Sequence, residues 1–103
     1  MIAITHFTDA PGFAERARVA LEALAQRAGY LRGTLARSVD EDAWVLLTEW
    51  ENIGSYRRAL GNYEVKLHAT PLLATALDVP GGFESLVDVA PGGRAEIRAS
   101  DRA

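Results

Sequence analysis

The sequence predicts an α+β fold of the ferredoxin-like kind, in which a four-stranded antiparallel sheet carries its helices on one face. The first reason is the element order, because strand-like and helix-like segments follow one another as β-α-β-β-α-β. The second is size and composition: 103 residues suit a single domain, and 49% apolar with 24% charged residues is typical of globular chains. We expect a domain over residues 1–90 and a polar C-terminal tail over 91–103.

The first two elements are a short strand and an amphipathic helix. Residues 2–7, IAITHF, are rich in β-branched side chains. Thr8 or Asp9 can cap the following helix, and Pro11 suits its first turn. From residue 13 onward apolar side chains recur at helical spacing, namely Phe13, Ala17, Leu21, Leu24 and Ala28. Gly29 then ends the helix.

The next two strands are predicted to form a hairpin. Residues 30–39 have strand character, with Gly33 as a bulge or a point of close approach. A charged turn at 40–42 leads into residues 44–50, the strongest strand of the sequence. Its faces are Trp44, Leu46, Thr48 and Trp50 on one side, and Val45, Leu47 and Glu49 on the other. Because neither face is uniformly polar, we expect two subunits to pack sheet to sheet as a homodimer.

The second helix is predicted over residues 53–69, with Asn52 as its cap. Its apolar stripe has the spacing i, i+4, i+7 and i+11, and consists of Tyr56, Leu60, Tyr63 and Leu67. Pro71 ends the helix, and residues 72–77 can add one or two turns. After the break at 80–82, residues 83–90 are predicted to form the last strand.

Composition excludes several classes of function. Without cysteine there are no disulfides, thiolate nucleophiles or cysteine-ligated metals. A net charge of −3 has no basic surplus, so we expect no nucleic-acid partner. The chain shows no membrane-spanning apolar run and no signal peptide, so we expect a cytoplasmic protein without a membrane partner. His6 and His68 have no third ligand at metal spacing, so we expect no metal site.

The segment from Trp44 to His68 carries a resemblance. The run AWVLLTEWENIGSYRRAL ends a strand with Glu49, Trp50 and Glu51 and places Tyr56 early in a helix. It resembles the strand-to-helix segment of the antibiotic biosynthesis monooxygenase domains, and GYLRGTLARS is similar to their second strand. The resemblance covers residues 1 to about 90 and implies a dimeric α/β barrel. Some members oxidise polycyclic aromatic intermediates with O₂ and no cofactor, and others degrade haem.

The cofactor-free branch implies roles for four positions. Trp50 and Tyr56 match the family's Trp and Tyr, whereas Leu46 stands in place of its Asn. The region of the family's Arg holds Lys66, His68 and Thr70. The resemblance implies deprotonation of a phenol or anthrone, electron transfer to O₂, and stabilisation of the developing oxyanion. Without the Asn, Thr48, Tyr63 or His68 would have to substitute for it.

The haem-degrading branch matches none of its three marker positions. Where that branch has Asn, Trp and an axial His, this chain has Phe7, Ala59 and Ala69. His68 is one residue from the axial position, which is about 100° around a helix. Haem degradation is therefore the least favoured of the family's activities for this chain.

These observations together predict a cofactor-independent monooxygenase acting on a polycyclic aromatic or hydroquinone-like small molecule. We predict His68 as general base, since imidazole titrates near neutral pH, with Trp50 and Tyr56 as catalytic contacts. The predicted substrate-binding residues are Leu46, Thr48, Tyr63 and Leu60. The alternative is a non-catalytic ligand-binding or cyclase-like accessory domain.

Each of the predicted site residues also has a structural explanation. Trp50 and the tyrosines can be core residues, and His68 can complement a helix dipole. Glu49 and Glu51 can pair with Arg32 or Arg37 across the sheet, or serve as a carboxylate base. His6 can be a half-buried histidine with its hydrogen bonds satisfied.

Overall fold

The computed structural model describes residues 1–102, and Ala103, the last residue of the predicted tail, lies outside the described residues. The elements are, in chain order, β1 (Ile2–Thr8), α1 (Phe13–Ala25), β2 (Tyr30–Arg37), β3 (Ala43–Trp50), α2 (Ile53–Leu60), α3 (Tyr63–His68), α4 (Thr70–Leu73), β4 (Gly82–Phe83), β5 (Val87–Val89) and β6 (Ala95–Ile97).

The main sheet has the strand order β2-β3-β1-β4, and its neighbouring strands are antiparallel. In its centre Leu47 of β3 lies between Ile4 of β1 and Thr34 of β2. The helices pack against one face of this sheet through a buried core. Its members are Phe7, Phe13, Ala17, Ala20, Leu24, Leu46, Trp50, Ala59, Val65, Ala69 and Leu72. The predicted ferredoxin-like α+β fold is confirmed.

The start of α1 differs from the prediction. Gly12, not Thr8 or Asp9, is the N-cap, and it adopts a left-handed conformation with φ of 71°. The Asp9 carboxylate instead accepts a 2.9 Å hydrogen bond from the indole Nε1 of Trp44, so it ties β3 to the loop before the helix. By contrast, the predicted cap of α2 is confirmed, because Asn52 Oδ1 accepts a 2.8 Å bond from the Ser55 backbone N–H.

The predicted helix over residues 53–69 is interrupted. α2 ends at Gly61, and Asn62 caps a new helix by accepting bonds of 3.0 and 3.3 Å from two backbone N–H groups of α3. The new helix has a different register. Val65 is therefore buried, whereas Tyr63 and Leu67 of the predicted apolar stripe are 72% and 52% exposed.

The predicted last strand over residues 83–90 is also divided. Only Gly82 and Phe83 pair with β1, because the rest of that edge is taken by loop backbone: Ile4 N–H donates to Gly81 O at 2.7 Å, and Leu77 N–H donates to His6 O at 2.8 Å. The chain then leaves the sheet and forms the β5–β6 hairpin. Residues 95–97, which were assigned above to the polar tail, therefore form a strand. The predicted division into a domain over residues 1–90 and a tail over 91–103 stays a prediction.

Candidate functional site

Trp50 is the centre of an aromatic cluster at the end of β3. Its side chain is 1% exposed, and its ring lies edge-on to Tyr30 and tilted against Tyr56, at centroid distances of 5.4 and 5.6 Å. The indole Nε1 donates a 2.8 Å hydrogen bond to Thr48 Oγ1. Three predicted site residues, Trp50, Tyr56 and Thr48, are therefore together. The donor of Trp50 is satisfied inside the protein.

Tyr30 is a member of this cluster that the sequence analysis missed. It lies opposite Trp50 across the β2–β3 pair, and Gly33 makes room for it. A Cβ on Gly33 would lie 2.4 Å from the Tyr30 hydroxyl oxygen and 2.6 Å from Leu21 Cδ1. The close approach predicted at Gly33 is thus confirmed. The available signal was an aromatic residue at the start of a strand predicted to pair with the strand of Trp50.

Tyr56 and Leu46 give the cluster its chemical character. Tyr56 is half-buried, and burial raises the pKa of its hydroxyl, so at neutral pH the hydroxyl is protonated and can donate. Leu46 lies deeper on the same face of β3 and is 2% exposed. Where the resemblance leads one to expect an amide, the chain therefore presents a hydrocarbon side chain to the core.

Two of the remaining predicted residues lie on the helices. Leu60, at the end of α2, is half-buried and packs against the core. Tyr63 is 72% exposed at the start of α3, as the helix interruption requires. Leu60 thus remains close to the core, whereas Tyr63 faces solvent.

His68 lies on the outer side of α3. Its Nε2 is 3.3 Å from a carboxylate oxygen of Glu64, one turn earlier. It lines a shallow cleft of about 280 Å³ together with Val19, Leu67 and Pro71, and no residue of the aromatic cluster lines that cleft. The structure does not bring the predicted base together with Trp50. The neighbouring position, Ala69, is the buried one.

The predicted ion pair of Glu49 across the sheet is confirmed. The Nε of Arg32 lies 2.9 Å from the Glu49 carboxylate across the β2–β3 pair. Arg37 instead lies over the ring of Trp44, with its Cζ 5.6 Å from the ring centroid. His6 is half-buried on the sheet face opposite the helices, beside Val45. Of these residues, Glu49 is the one that forms an ion pair, and its partner is Arg32.

One further cleft was not foreseen from the sequence. It has a volume of about 450 Å³ and separates the β3–α2 junction from the C-terminal segment. A second cleft of about 260 Å³ shares Met1, Glu51, Ser85 and Arg98 with it and also reaches Trp50. The lining residues come from Met1, from residues 51–53 and from the C-terminal segment, and no local spacing could have revealed that these three parts of the chain meet.

Within residues 1–102, no cluster of three or more His, Asp or Glu side chains could hold a metal ion. In the same part of the chain, no helix is long and apolar enough to cross a membrane.

The chain is similar in structure to several solved proteins. SnoaB from Streptomyces nogalater, a cofactor-independent oxygenase, is 30% identical, with 74% of this chain and 82% of that chain covered and a TM-score of 0.64. An antibiotic biosynthesis monooxygenase is 13% identical, with 84% and 99% covered and a TM-score of 0.60. A conserved protein from Methanosarcina mazei Go1 is 17% identical, with 79% and 84% covered and a TM-score of 0.62. No protein-family model and no curated sequence matches the chain.

Proposed function

This chain belongs to the antibiotic biosynthesis monooxygenase family, and from that premise we propose that it oxidises a polycyclic aromatic or hydroquinone-like small molecule with O₂ and without a cofactor. The observation that carries the proposal is its 30% identity to a cofactor-independent oxygenase, 82% of which it covers. The aromatic cluster around Trp50 adds support, because flat ring systems pack well against aromatic side chains.

The proposed reaction converts an activated methylene carbon, as in an anthrone, to a carbonyl. One oxygen atom of O₂ becomes the carbonyl oxygen, and the other leaves as water with the two hydrogens of the methylene group. The balance needs no further reductant. Deprotonation makes the ring system electron-rich, and donors aimed at the developing oxyanion lower the barrier.

Trp50 and Tyr56 are the proposed catalytic contacts. The Tyr56 hydroxyl is a donor at neutral pH, and the Trp50 indole N–H would become one if it exchanged Thr48 for substrate. Leu46, Thr48 and Leu60 are the proposed substrate-binding residues, two of them apolar and the third a hydroxyl that holds Trp50. The exposure of Tyr63 counts against its predicted part in binding.

His68 remains a proposed base, because imidazole can take up a proton near neutral pH. Its position in a cleft separate from Trp50, with Glu64 as its neighbour, counts against that role. A His68→Ala variant decides the question.

We also propose that the protein is a homodimer, formed through the sheet face opposite the helices. Ile4 and Leu47 are paired in the centre of that face, with Thr34 beyond Leu47 and Val45 beside it. A sheet face with branched aliphatic residues at its centre is favoured to pack against protein.

A second function, binding of a small aromatic ligand without catalysis, is favoured by one observation. Leu46 cannot donate a hydrogen bond, and Thr48 already accepts the indole N–H of Trp50. Leu46, Trp50 and Tyr56 stand at the family's Asn, Trp and Tyr positions, and the indole N–H of Trp50 is already donated to Thr48. Of these three side chains, Tyr56 is left as the available donor.

Oxygen uptake with anthrone, in metal-free buffer without flavin or haem, tests the proposed function. We expect uptake above the rate of autoxidation, reduced about a hundredfold in Trp50→Phe and strongly reduced in Tyr56→Phe. Trp44→Phe, at the other end of β3, is the matched control and should keep the wild-type rate. Uptake no faster than the protein-free blank would refute the oxygenase and favour the ligand-binding function.

A further inference from the structure

A small cleft among the helices takes no part in the proposed oxidation. It has a volume of about 240 Å³ and is lined by Arg27, Ala28, Ser55, Arg58, Ala59 and Asn62. These residues come from the turn after α1, from α2 and from the link between α2 and α3. We propose that this cleft binds a phosphate-type oxyanion, either free phosphate or the phosphate group of a small-molecule ester, between Arg27 and Arg58.

The charge of the cleft is opposite to that of the whole chain. Among residues 1–102, no Asp or Glu lines it, although the sequence has 14 acidic and 11 basic residues. In the same part of the chain, neither Arg27 nor Arg58 forms an ion pair with a carboxylate. Both guanidinium groups are permanently charged. The cleft therefore has two positive charges and no counter-charge in its own wall.

Arg58 is held in position by its own helix. Its Nη2 donates a 3.4 Å hydrogen bond to Oγ of the buried Ser55, and that hydroxyl donates to Asn52 Oδ1 at 3.0 Å. A Cβ on Gly54 would lie 3.2 Å from Nη1 of Arg58, so the guanidinium group lies against this glycine. Only one of its N–H groups is used by Ser55, and the others remain as donors for a ligand.

Asn62 adds a donor whose identity is fixed by the cap of α3. Its Oδ1 accepts the backbone N–H groups of Glu64 and Val65 at 3.0 and 3.3 Å. Because the oxygen is used in this way, the other end of the amide is the Nδ2 group, which can only donate. Asn62 is half-buried. The residue that interrupts the predicted second helix thus also contributes a donor to the cleft.

Arg27 lines the cleft from the turn between α1 and β2. It is half-buried, its N–H donates to Leu24 O at 3.0 Å, and its carbonyl accepts from Tyr30 N–H at 3.2 Å. The turn is packed closely on α2, since a Cβ on Gly29 would lie 2.3 Å from Ser55 Oγ. A helix C-terminus explains each arginine by itself. It does not explain why two like charges from separate elements line one cleft, which an anion between them would stabilise.

A phosphate group matches this set of donors. It carries a charge of about −1.5 to −2 near neutral pH, and guanidinium groups bind it through paired N–H···O hydrogen bonds. A carboxylate carries a single charge and balances only one arginine. The Glu51 carboxylate does not line the cleft, although one of its oxygens would lie 3.8 Å from a Cβ on Gly29. A dianion is therefore the ligand that neutralises both arginines.

An NMR titration at pH 7.5 with inorganic phosphate, phenyl phosphate and acetate, at constant ionic strength in chloride, tests the proposal without an oxidation assay. We expect phosphate to shift the side-chain Nε–H signals of Arg27 and Arg58, and to bind about tenfold more tightly than acetate. Arg27→Gln and Arg58→Gln should each weaken phosphate binding about tenfold. Asn62→Asp keeps an acceptor for the cap of α3, and it should abolish binding because it places a carboxylate in the cleft. Arg57→Gln, an exposed arginine next to Arg58 but outside the cleft, is the matched control.

Acetate binding as tight as that of phosphate, or an unchanged affinity in Arg58→Gln, would overturn the proposal. So would an equal loss in Arg57→Gln, because binding would then reflect the general charge of the surface. Arg27→Gln and Arg58→Gln variants that lose stability but keep their affinity would leave both arginines with a structural role alone. Tighter binding of phenyl phosphate than of phosphate would support the ester as ligand, and equal binding of the two would support the free ion.

Discussion

The indole N–H of Trp50 donates a 2.8 Å hydrogen bond to the hydroxyl of Thr48, two residues earlier on the same face of β3. The two residues are 1% and 2% exposed, so water does not compete for this hydrogen bond. The bond fixes the indole plane between Tyr30 and Tyr56. The orientation of the largest buried side chain thus depends on one hydroxyl group.

Replacing Thr48 by valine should destabilise the protein by about 1–3 kcal/mol. Valine has nearly the same shape, so the main change is a buried indole N–H without an acceptor. Urea unfolding followed by circular dichroism measures the cost. In a Trp50→Phe background the donor is absent, and the same substitution should cost much less. Equal costs in the two backgrounds would show that the hydrogen bond does not contribute.

Gly29 and Gly12 form a matched pair, because both have positive φ, at 87° and 71°. A Cβ on Gly29 would lie 2.3 Å from Ser55 Oγ, whereas one on Gly12 would meet nothing within 4 Å. Gly12→Ala should therefore cost only about 1–2 kcal/mol of left-handed strain. Gly29→Ala should cost about 1–3 kcal/mol more, since the buried Ser55 must move. Thermal and urea unfolding measure the loss of unfolding free energy in both variants. Similar losses in Gly12→Ala and Gly29→Ala would contradict the predicted clash with Ser55.

The fold could be predicted because its signals are local. Alternation in residues 44–50 and helical spacing from Phe13 identify elements without reference to the rest of the chain. The second helix shows the limit of such signals. Gly61 is tolerated inside many helices, and only the capping bonds of Asn62 turn it into an end. That interruption then decides which face Tyr63 and Leu67 occupy.

The site was less accessible to sequence reasoning for a related reason. Trp50, Tyr56 and Thr48 were identified together, because they lie on one strand and the helix that follows it. The location of His68 depends on the register of α3, which the pattern did not reveal. The large cleft joins Met1 to the C-terminal segment, and no sequence spacing encodes a meeting of the two chain ends.

Two half-buried tyrosines, Tyr30 and Tyr56, give the protein an alkaline limit of stability. Burial raises the pKa of Tyr56 and of Tyr30 above the unfolded value of about 10. Each tyrosine therefore makes its full contribution to the free energy of unfolding below pH 10. This contribution is lost as the pH rises through the pKa that the tyrosine has in the folded protein. We expect the free energy of unfolding to fall above about pH 10, and to fall less in Tyr56→Phe. Urea unfolding between pH 8 and 11 measures the slope.

Tyr63→Phe is the control for this pH dependence, because Tyr63 is 72% exposed. It should leave the alkaline slope unchanged. The absorbance of tyrosinate at 295 nm, followed in wild type and Tyr56→Phe, assigns the titration to Tyr56. An identical slope in wild type and Tyr56→Phe would mean that the hydroxyl is as hydrated in the folded chain as in the unfolded one.

The proposed dimer makes the sheet face opposite the helices sensitive to charge. Leu47 lies at its centre between Ile4 and Thr34, so Leu47→Lys would place an ammonium group within the subunit contact. We expect light scattering to give the mass of two 11.1 kDa chains for wild type and of one chain for the variant. Leu67→Lys, on the exposed side of α3, should remain dimeric. A wild-type monomer, or a Leu47→Lys variant that is folded and still dimeric, would exclude this face as the interface.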